Sequence, residues 1–396
     1  MEQCLTAAEL DAATRPIASA RGLPNRVYTS ADWAAMERDQ LLGRTWTCIG
    51  FADEVPARHA VPIDLLGAPL VAVRDPDETV RVFHNVCRHR GHRLVGGPCA
   101  LKSGFVCPYH GWMYGFDGTL EMTPHIGGAR VHEVAGFDKA AHGLFAVRSA
   151  VWLGMIFVNL AGDAPEFAEF IAPLIGRWSA FTGPGGMDRL VAAAPVAGSD
   201  LEVRANWKLA VENFCESYHL PNVHPGLNGY SKMSDHYNIM AGDWGAGQGC
   251  TAFDYGARSG IAFPPFADWP GDKRGHAEYI ALFPNVLLGL QIDHAFAMVL
   301  RPLAHDRTVE ATRLYFIGEA ATDTAHENAR ATLLADWLEI FVEDVGVVEG
   351  MQRGRASPAY DGGAFSPYHE EATHHFHGWV ARRSAGGPRV AATKVA

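Results

Sequence analysis

The sequence predicts an α+β chain: a small all-β domain followed by a larger catalytic domain whose antiparallel sheet is flanked by helices. Two observations carry this prediction. From Arg44 onward, short alternating runs such as RTWTCIGF, PLVAVRD and VRVFHNV are separated by Gly, Pro and Asp, the pattern of successive strands. Beyond residue 162, strand-like segments alternate with helical ones, and no G-x-G-x-x-G follows a strand, so a dinucleotide fold and a bound NAD or flavin are not indicated.

The elements follow in order. The first forty residues mix an Ala-rich helical pattern with turn signals from Gly22 to Asn25, then a helix over Ser30 to Leu42. Residues 1–43 read as a helical wrap on the catalytic domain, 44–162 as the β domain and 163–396 as the catalytic domain. The β domain closes on the strand pair AVRSAVWLGMIFVNL, with Gly154 as its turn, and Pro165 opens a helix from Glu166 to Ala180. LEVRANWKL, IALFPNVLLGLQI, AFAMVLRPLA and VEATRLYFIGEA read as sheet, Asn206 to Leu220 as a helix, Gly242 to Gly271 as a long Gly/Pro-rich loop, and Thr324 to Arg353 as a long helix. No 20- to 50-residue period recurs, so repeat architectures are not expected.

Composition excludes several classes. With 33 Lys and Arg against 44 Asp and Glu, the net charge of −11 disfavours a phosphate-tracking surface, so nucleic acid is not an expected partner. The longest apolar stretch, Ala150 to Val158, is about half of what a bilayer requires. The N-terminus lacks a basic region followed by an apolar run, and a soluble, cytoplasmic protein without a membrane partner is expected. Seven cysteines are too few and odd in number for a disulfide scaffold. Cys4, Cys48, Cys99, Cys215 and Cys250 are expected as buried small hydrophobes.

The remaining two cysteines belong to a pair of short motifs. Cys87 and His89 form C-x-H, Cys107 and His110 form C-x-x-H, and seventeen residues lie between them. Two thiolates and two imidazoles suit either zinc or a [2Fe–2S] centre, and spacing alone leaves both open. Each pair sits at a loop tip between strands, Gly91 and Gly111 follow the histidines, and Asp117-Gly118 makes a hairpin turn just beyond. Here CRHRG, CPYHGW and the trailing Y-x-x-D-G-x-L resemble the Rieske iron–sulfur domain. The resemblance implies that Cys87 and Cys107 bind one iron and His89 and His110 the other. It also implies an electron supply from a flavin- or ferredoxin-type reductase using NAD(P)H.

A second constellation lies in NWKLAVENFCESYHLPNVHP. A helix through Leu220 would place Glu212, Glu216 and His219 near one face, and Pro221 would end or bend it so that His224 swings back toward His219. Trp337, Phe341, Asp344 and Val348 recur at helical spacing, so Asp344 occupies an apolar stripe where a bare carboxylate is costly, whereas Glu343 falls off it. Two His and one Asp form the facial triad of mononuclear non-haem Fe(II) oxygenases. The patterns N-W-K, E-N, E-x-Y-H and H-P resemble the catalytic domain of Rieske oxygenase α subunits, and EDVGVVEGMQRG resembles their ligand helix. The resemblance implies His219, His224 and Asp344 as ligands of a mononuclear Fe(II), and a homotrimer in which each cluster serves the next subunit's iron. It also implies catalytic roles for Asn213 and for Glu216, the latter as a carboxylate bridge between cluster and iron.

Glu216 stands where many ring-dihydroxylating members carry Asp. With the ending SPYHEEATHHFHGWVARR it resembles the choline monooxygenase, betaine demethylase and carnitine oxygenase branch. The expected activity is O2-dependent N-demethylation or C–H hydroxylation of a small quaternary ammonium or N-methyl compound. Oxidation of an aromatic acid is the alternative. A permanent cation calls for aromatic faces and carboxylates, sought in the segment holding Tyr230, Trp244, Asp254, Tyr255, Phe263, Phe266 and Trp269. Asp293 and His294 are further candidates. His369, His374, His375 and His377 are read as one helix face.

Overall fold

The structure, a computed structural model, describes residues 4–196 and 198–385. The chain divides into two compact units. Of the described residues, one unit comprises Gly43–Thr45 and Ile49–Ala164; the other comprises those up to Leu42, Trp46–Cys48 and those from Pro165.

The first unit is built on ten strands. Seven of them, β1 (Thr47–Phe51), β2 (His59–Leu65), β3 (Ala68–Arg74), β4 (Val80–His84), β5 (Cys99–Ala100), β9 (Ala146–Trp152) and β10 (Met155–Asn159), form a sheet in the order β1-β10-β9-β4-β3-β2-β5. The other three, β6 (Phe105–Val106), β7 (Met113–Tyr114) and β8 (Leu120–Met122), form a small meander. Leu153 and Gly154 both take positive φ, and they turn β9 into β10 so that Met155 pairs with Trp152. The core gathers Val71, Phe83, Phe105, Trp112 and Tyr114 around Cys87 and Cys107. At Gly118, φ is +83° and a Cβ would lie 2.6 Å from the Phe83 ring, so no other residue fits that hairpin unstrained.

In the second unit, eight strands make an antiparallel sheet. Its path runs β11 (Leu190–Ala192), β18 (Arg307–Ile317), β17 (His294–Ala304), β16 (Val286–Leu290), β15 (Ala277–Leu282), β14 (Gly245–Cys250) and β13 (His236–Met240), with β12 (Leu201–Val203) also pairing β18. The expected loop from Gly242 to Gly271 is therefore corrected, because six of its residues are a fully buried inner strand. The glycines that suggest a turn are there for contact. A Cβ on Gly247 would lie 2.0 Å from the Tyr279 carbonyl, and one on Gly249 would lie 2.2 Å from the Tyr237 ring.

Helices α1 (Ala7–Thr14), α2 (Arg26–Thr29) and α3 (Ala31–Gln40) precede this sheet in sequence. The Thr6 and Ser30 hydroxyls cap α1 and α3, as the sequence pattern requires. Next come α4 (Phe167–Thr182), α5 (Trp207–Phe214), α6 (Leu220–Val223) and α7 (Tyr255–Ser259), then α8 (Glu327–Gly354) and α9 (Glu371–Ser384). The expected helix through Leu220 is corrected too. Asn206 caps α5 through its side chain, the helix ends at Phe214, and Pro221 sits in the first turn of the separate α6 rather than closing a helix.

Glu212 consequently lies in a buried charge cluster instead of sharing a face with His219. Its carboxylate accepts from the Tyr28 hydroxyl at 2.5 Å and from Arg355 at 2.7 Å, and lies 3.2 Å from His377 Nε2. Beside it, Lys208 and Glu37 pair at 2.7 Å with both side chains buried. These contacts join the N-terminal segment, α5, the end of α8 and α9. The histidine tail does not form one face: His377 is buried and accepts from the Leu23 amide, His375 bonds the Gly242 carbonyl, and His369 precedes α9 and stacks on Tyr218. Cys48, Cys215 and Cys250 are buried as expected, but Cys4 and Cys99 are exposed, Cys99 because it lies on the two-residue edge strand β5. Among the described residues, no helix is long and apolar enough to cross a membrane.

Candidate active site

Two loops of the first unit repeat one hydrogen-bond pattern. The Cys87 amide donates to the His92 carbonyl and the Cys107 amide to the Trp112 carbonyl, each at 2.8 Å. The Gly91 and Gly111 amides return to the carbonyls of Cys87 and Cys107, each at 3.0 Å. Both glycines take positive φ, which closes the loops tightly. Buried Asn85 pins the ends of the first loop, accepting from the amides of Leu94 and Val95 and donating to the Val95 carbonyl. Both cysteines are buried and both histidines exposed, with the imidazoles 4.5 Å apart and His89 stacked on Trp112. The Tyr114 hydroxyl lies 3.2 Å from Cys87 Sγ and accepts from the Arg88 amide. Two inner thiols and two outer imidazoles on symmetric loops fit the ligand set of a [2Fe–2S] centre of mixed ligation, which these four residues would hold.

In the second unit, ligand atoms of His219, His224 and Asp344 all lie within 4.8 Å of one another. His219 follows the break after α5, His224 ends α6, and Asp344 comes from α8. Each imidazole is oriented from behind. His219 Nδ1 is 2.7 Å from Glu216 Oε1, and His224 Nδ1 is 2.6 Å from Glu343 Oε2. Carboxylates accept only, so both Nδ1 atoms carry a proton, and both Nε2 atoms face Asp344 Oδ1, at 3.7 and 2.9 Å, where the neutral rings would present their lone pairs. Two imidazole nitrogens and a carboxylate oxygen converging at such distances form a donor set that a divalent iron fits. Glu216 also accepts from the amides of Tyr218 and His219, so both of its oxygens are engaged. Asn213 Nδ2 donates to Asp344 Oδ1 at 3.2 Å. Sequence reasoning missed Glu310, fully buried on β18, whose carboxyl is pushed up to about 8 by burial and by the charge of Asp344. Only its side-chain type, with no spacing signal, marks it.

A cavity of about 60 Å³ opens beside these ligands. Its apolar wall is Phe214, Tyr279, Phe296, Trp337 and Phe341, with the Trp337 ring 4.7 Å from Phe296 and 5.8 Å from Phe341. None of the aromatic residues sought between Tyr230 and Trp269 lines it. Phe263 packs on Phe316, Trp269 on Phe181 and Phe266, and the Tyr255 hydroxyl donates to Asp336. His294 stands one layer back, accepting from Trp337 Nε1 at 3.2 Å with Asp293 at its other nitrogen. Three separate elements, β15, β17 and α8, supply most of the wall, which is why no local motif announces it.

Residues 45–135 match the family described as the Rieske [2Fe-2S] domain, and residues 190–386 match the ring hydroxylating alpha subunit (catalytic domain). The chain belongs to the Rieske oxygenase α subunits, enzymes that combine a Rieske cluster with a mononuclear non-haem iron. Among curated relatives, it is 27% identical to the carnitine monooxygenase oxygenase subunit of Escherichia coli K12 over 91% of this chain and 93% of that one. It is 34% identical over 206 residues to the glycine betaine monooxygenase oxygenase subunit of Chromohalobacter salexigens, spanning 52% of this chain and 43% of that one. In fold it is similar to a quaternary ammonium Rieske monooxygenase solved with L-carnitine, with a TM-score of 0.72 and 22% identity over 95% of this chain and 98% of that one.

Proposed function

We propose that this chain is the terminal oxygenase of a Rieske-type system that oxidises a small quaternary ammonium or N-methyl compound. The observation that carries this reading is the aromatic wall converging on the His219, His224 and Asp344 triad, since the faces of Trp, Tyr and Phe attract a cation that no hydrogen bond can neutralise. The relatives named for carnitine, glycine betaine and choline support it. No Lys or Arg lines the cavity among the described residues, which disfavours an aromatic acid, because its carboxylate would be buried unpaired.

In this reading Cys87, Cys107, His89 and His110 hold the [2Fe–2S] cluster, and His219, His224 and Asp344 hold Fe(II). The bound metals supply electron transfer and oxygen activation. Glu216 and Glu343 keep Nδ1 of each imidazole protonated so that each Nε2 remains a ligand. Asn213 fixes the rotamer of Asp344 through its amide. The aromatic wall excludes water and presents an N-methyl carbon to the iron. Two electrons and two protons accompany O2: one oxygen enters the C–H bond and the other leaves as water. In the resulting N–CH2OH group the C–N bond breaks as the hydroxyl gives up its proton, and formaldehyde and the demethylated amine are released.

The electrons come from a separate flavin- or ferredoxin-type reductase using NAD(P)H, the working form is a homotrimer, and the setting is cytoplasmic. The test is a panel of N-methyl compounds and aromatic acids with the reconstituted, reduced enzyme, read by formaldehyde and product mass. Formaldehyde from an ammonium compound is expected. Oxidation confined to aromatic acids overturns the reading.

A further inference from the structure

One wall of the cavity is polar, and the directions of its hydrogen bonds can be followed from end to end. Gln248 Nε2 lies 2.9 Å from the Glu216 carbonyl and 3.3 Å from the Phe214 carbonyl. Carbonyls only accept, so this end of the amide is the NH2 and Oε1 is the acceptor. His236 Nδ1, 2.7 Å from Oε1, therefore carries the ring proton. Burial pushes His236 below the ordinary histidine range, so the ring is neutral and Nε2 holds a lone pair. Ser231 Oγ, 3.0 Å away, gives its only proton to that nitrogen. Cys250 Sγ, 3.3 Å from the same oxygen, lies on the acceptor side of that hydroxyl and can only share its proton, so it puts no proton on Oγ. With its one proton engaged, what buried Ser231 offers the cavity is lone pairs.

We infer that this cavity selects an ammonium substrate whose other end is an uncharged hydrogen-bond donor, a hydroxyl in the simplest case, held by Ser231 at the end of the Gln248–His236 chain. The inference rests on the ammonium reading and deepens it. A carboxylate arm, as in a betaine, would meet an acceptor at Ser231 and find no lysine or arginine among the described lining residues. The neutral phenol of Tyr279 is a poor return for stripping a carboxylate of water. A hydroxyl arm instead completes a chain in which every donor already has its acceptor. Gln248 is the positioning residue at its origin, and Ser231 is the group that touches substrate.

The test compares choline, glycine betaine and trimethylpropylammonium, which share the trimethylammonium head and differ in the arm. Both kcat/KM and anaerobic Kd, the latter by calorimetry on the metal-loaded enzyme, are measured. Choline should exceed each of the others by about tenfold, the scale of one neutral hydrogen bond. In Ser231→Ala the ratio of choline to trimethylpropylammonium should fall about tenfold in both quantities. Glycine betaine matching or exceeding choline in the wild type overturns the inference while leaving the ammonium reading intact, and so does an unchanged ratio in folded Ser231→Ala. Failure to bind or oxidise all three overturns both.

Discussion

Asp344 is held where a bare carboxylate is costly, on the stripe of α8 that buries Trp337, Phe341 and Val348, and the Asn213 amide donates to it. Replacing it with Ala removes the single anionic ligand but touches nothing in the cysteine loops. Asp344→Ala should therefore bind two irons per chain instead of three, keep the visible and spin-resonance signature of the cluster, and lose turnover; elemental analysis beside the spectrum checks this. Glu216 supports a different expectation. Its two oxygens serve His219 Nδ1 and the two amides of the turn at once, and a Gln has only one acceptor oxygen to divide among them. Glu216→Gln should weaken iron binding by about 10- to 100-fold, the usual effect of losing a partner behind a ligating imidazole. If Glu216 also carries the electron path, restoring occupancy with excess iron will leave substrate-coupled oxygen uptake suppressed. Full recovery with iron would assign the residue to positioning alone.

At the scale of elements, α5 is the piece on which the site depends, because the turn bearing Glu216 and His219 starts where it ends. It is held from behind by charge. The Arg355 guanidinium and His377 outweigh the burial of Glu212 and hold its carboxyl down at about 2. Removing one partner of such a buried pair leaves the other uncompensated, so Glu212→Gln should lose about 3–5 kcal/mol of stability at pH 7. A carboxyl whose folded pKa is depressed contributes stability above its unfolded value, near 4.5, and loses that contribution as pH falls toward about 2. Urea midpoints of the two proteins should thus converge as pH is lowered through that window and stay apart from pH 5 to 7. The same region shows what a sequence can disclose. The proposed metal ligands are legible because each motif packs unusual chemistry into a few residues: Cys87 and His89, Cys107 and His110, His219 and His224. The end of α5 at Phe214 is not, since Cys-Glu-Ser tolerates a helix, and the turn in which Glu216 accepts from the amides of Tyr218 and His219 takes its place. Strand β14 was read as loop because Gly245, Gly247 and Gly249 are turn residues by local statistics, whereas the close Tyr279 carbonyl and Tyr237 ring that require them are set by neighbouring strands. The aromatic wall was invisible for a related reason: Tyr279, Phe296 and Trp337 are ordinary core residues until the sheet and α8 bring them to one cavity.

For the whole molecule the open question is which chain's cluster feeds which chain's iron. In the first unit the two histidines lie at an exposed loop tip, and in the second Tyr218 is exposed beside the Glu216 turn and stacks on His369. A related quaternary ammonium monooxygenase is described in terms of inter-subunit electron transfer. If this chain works likewise as a homotrimeric ring, complementation decides the matter without any distance. Cys107→Ala chains lack the cluster and keep the iron site; His219→Ala chains keep the cluster and lose an iron ligand. Each homotrimer should be inactive. Co-produced with different tags and isolated as mixed assemblies, the two lesions should complement, because a head-to-tail ring of unlike chains contains one junction where an intact cluster meets an intact iron site. Each mixed ring then yields about a third of wild-type activity per chain. Electron transfer confined within each chain predicts none, since every chain carries one of the two lesions.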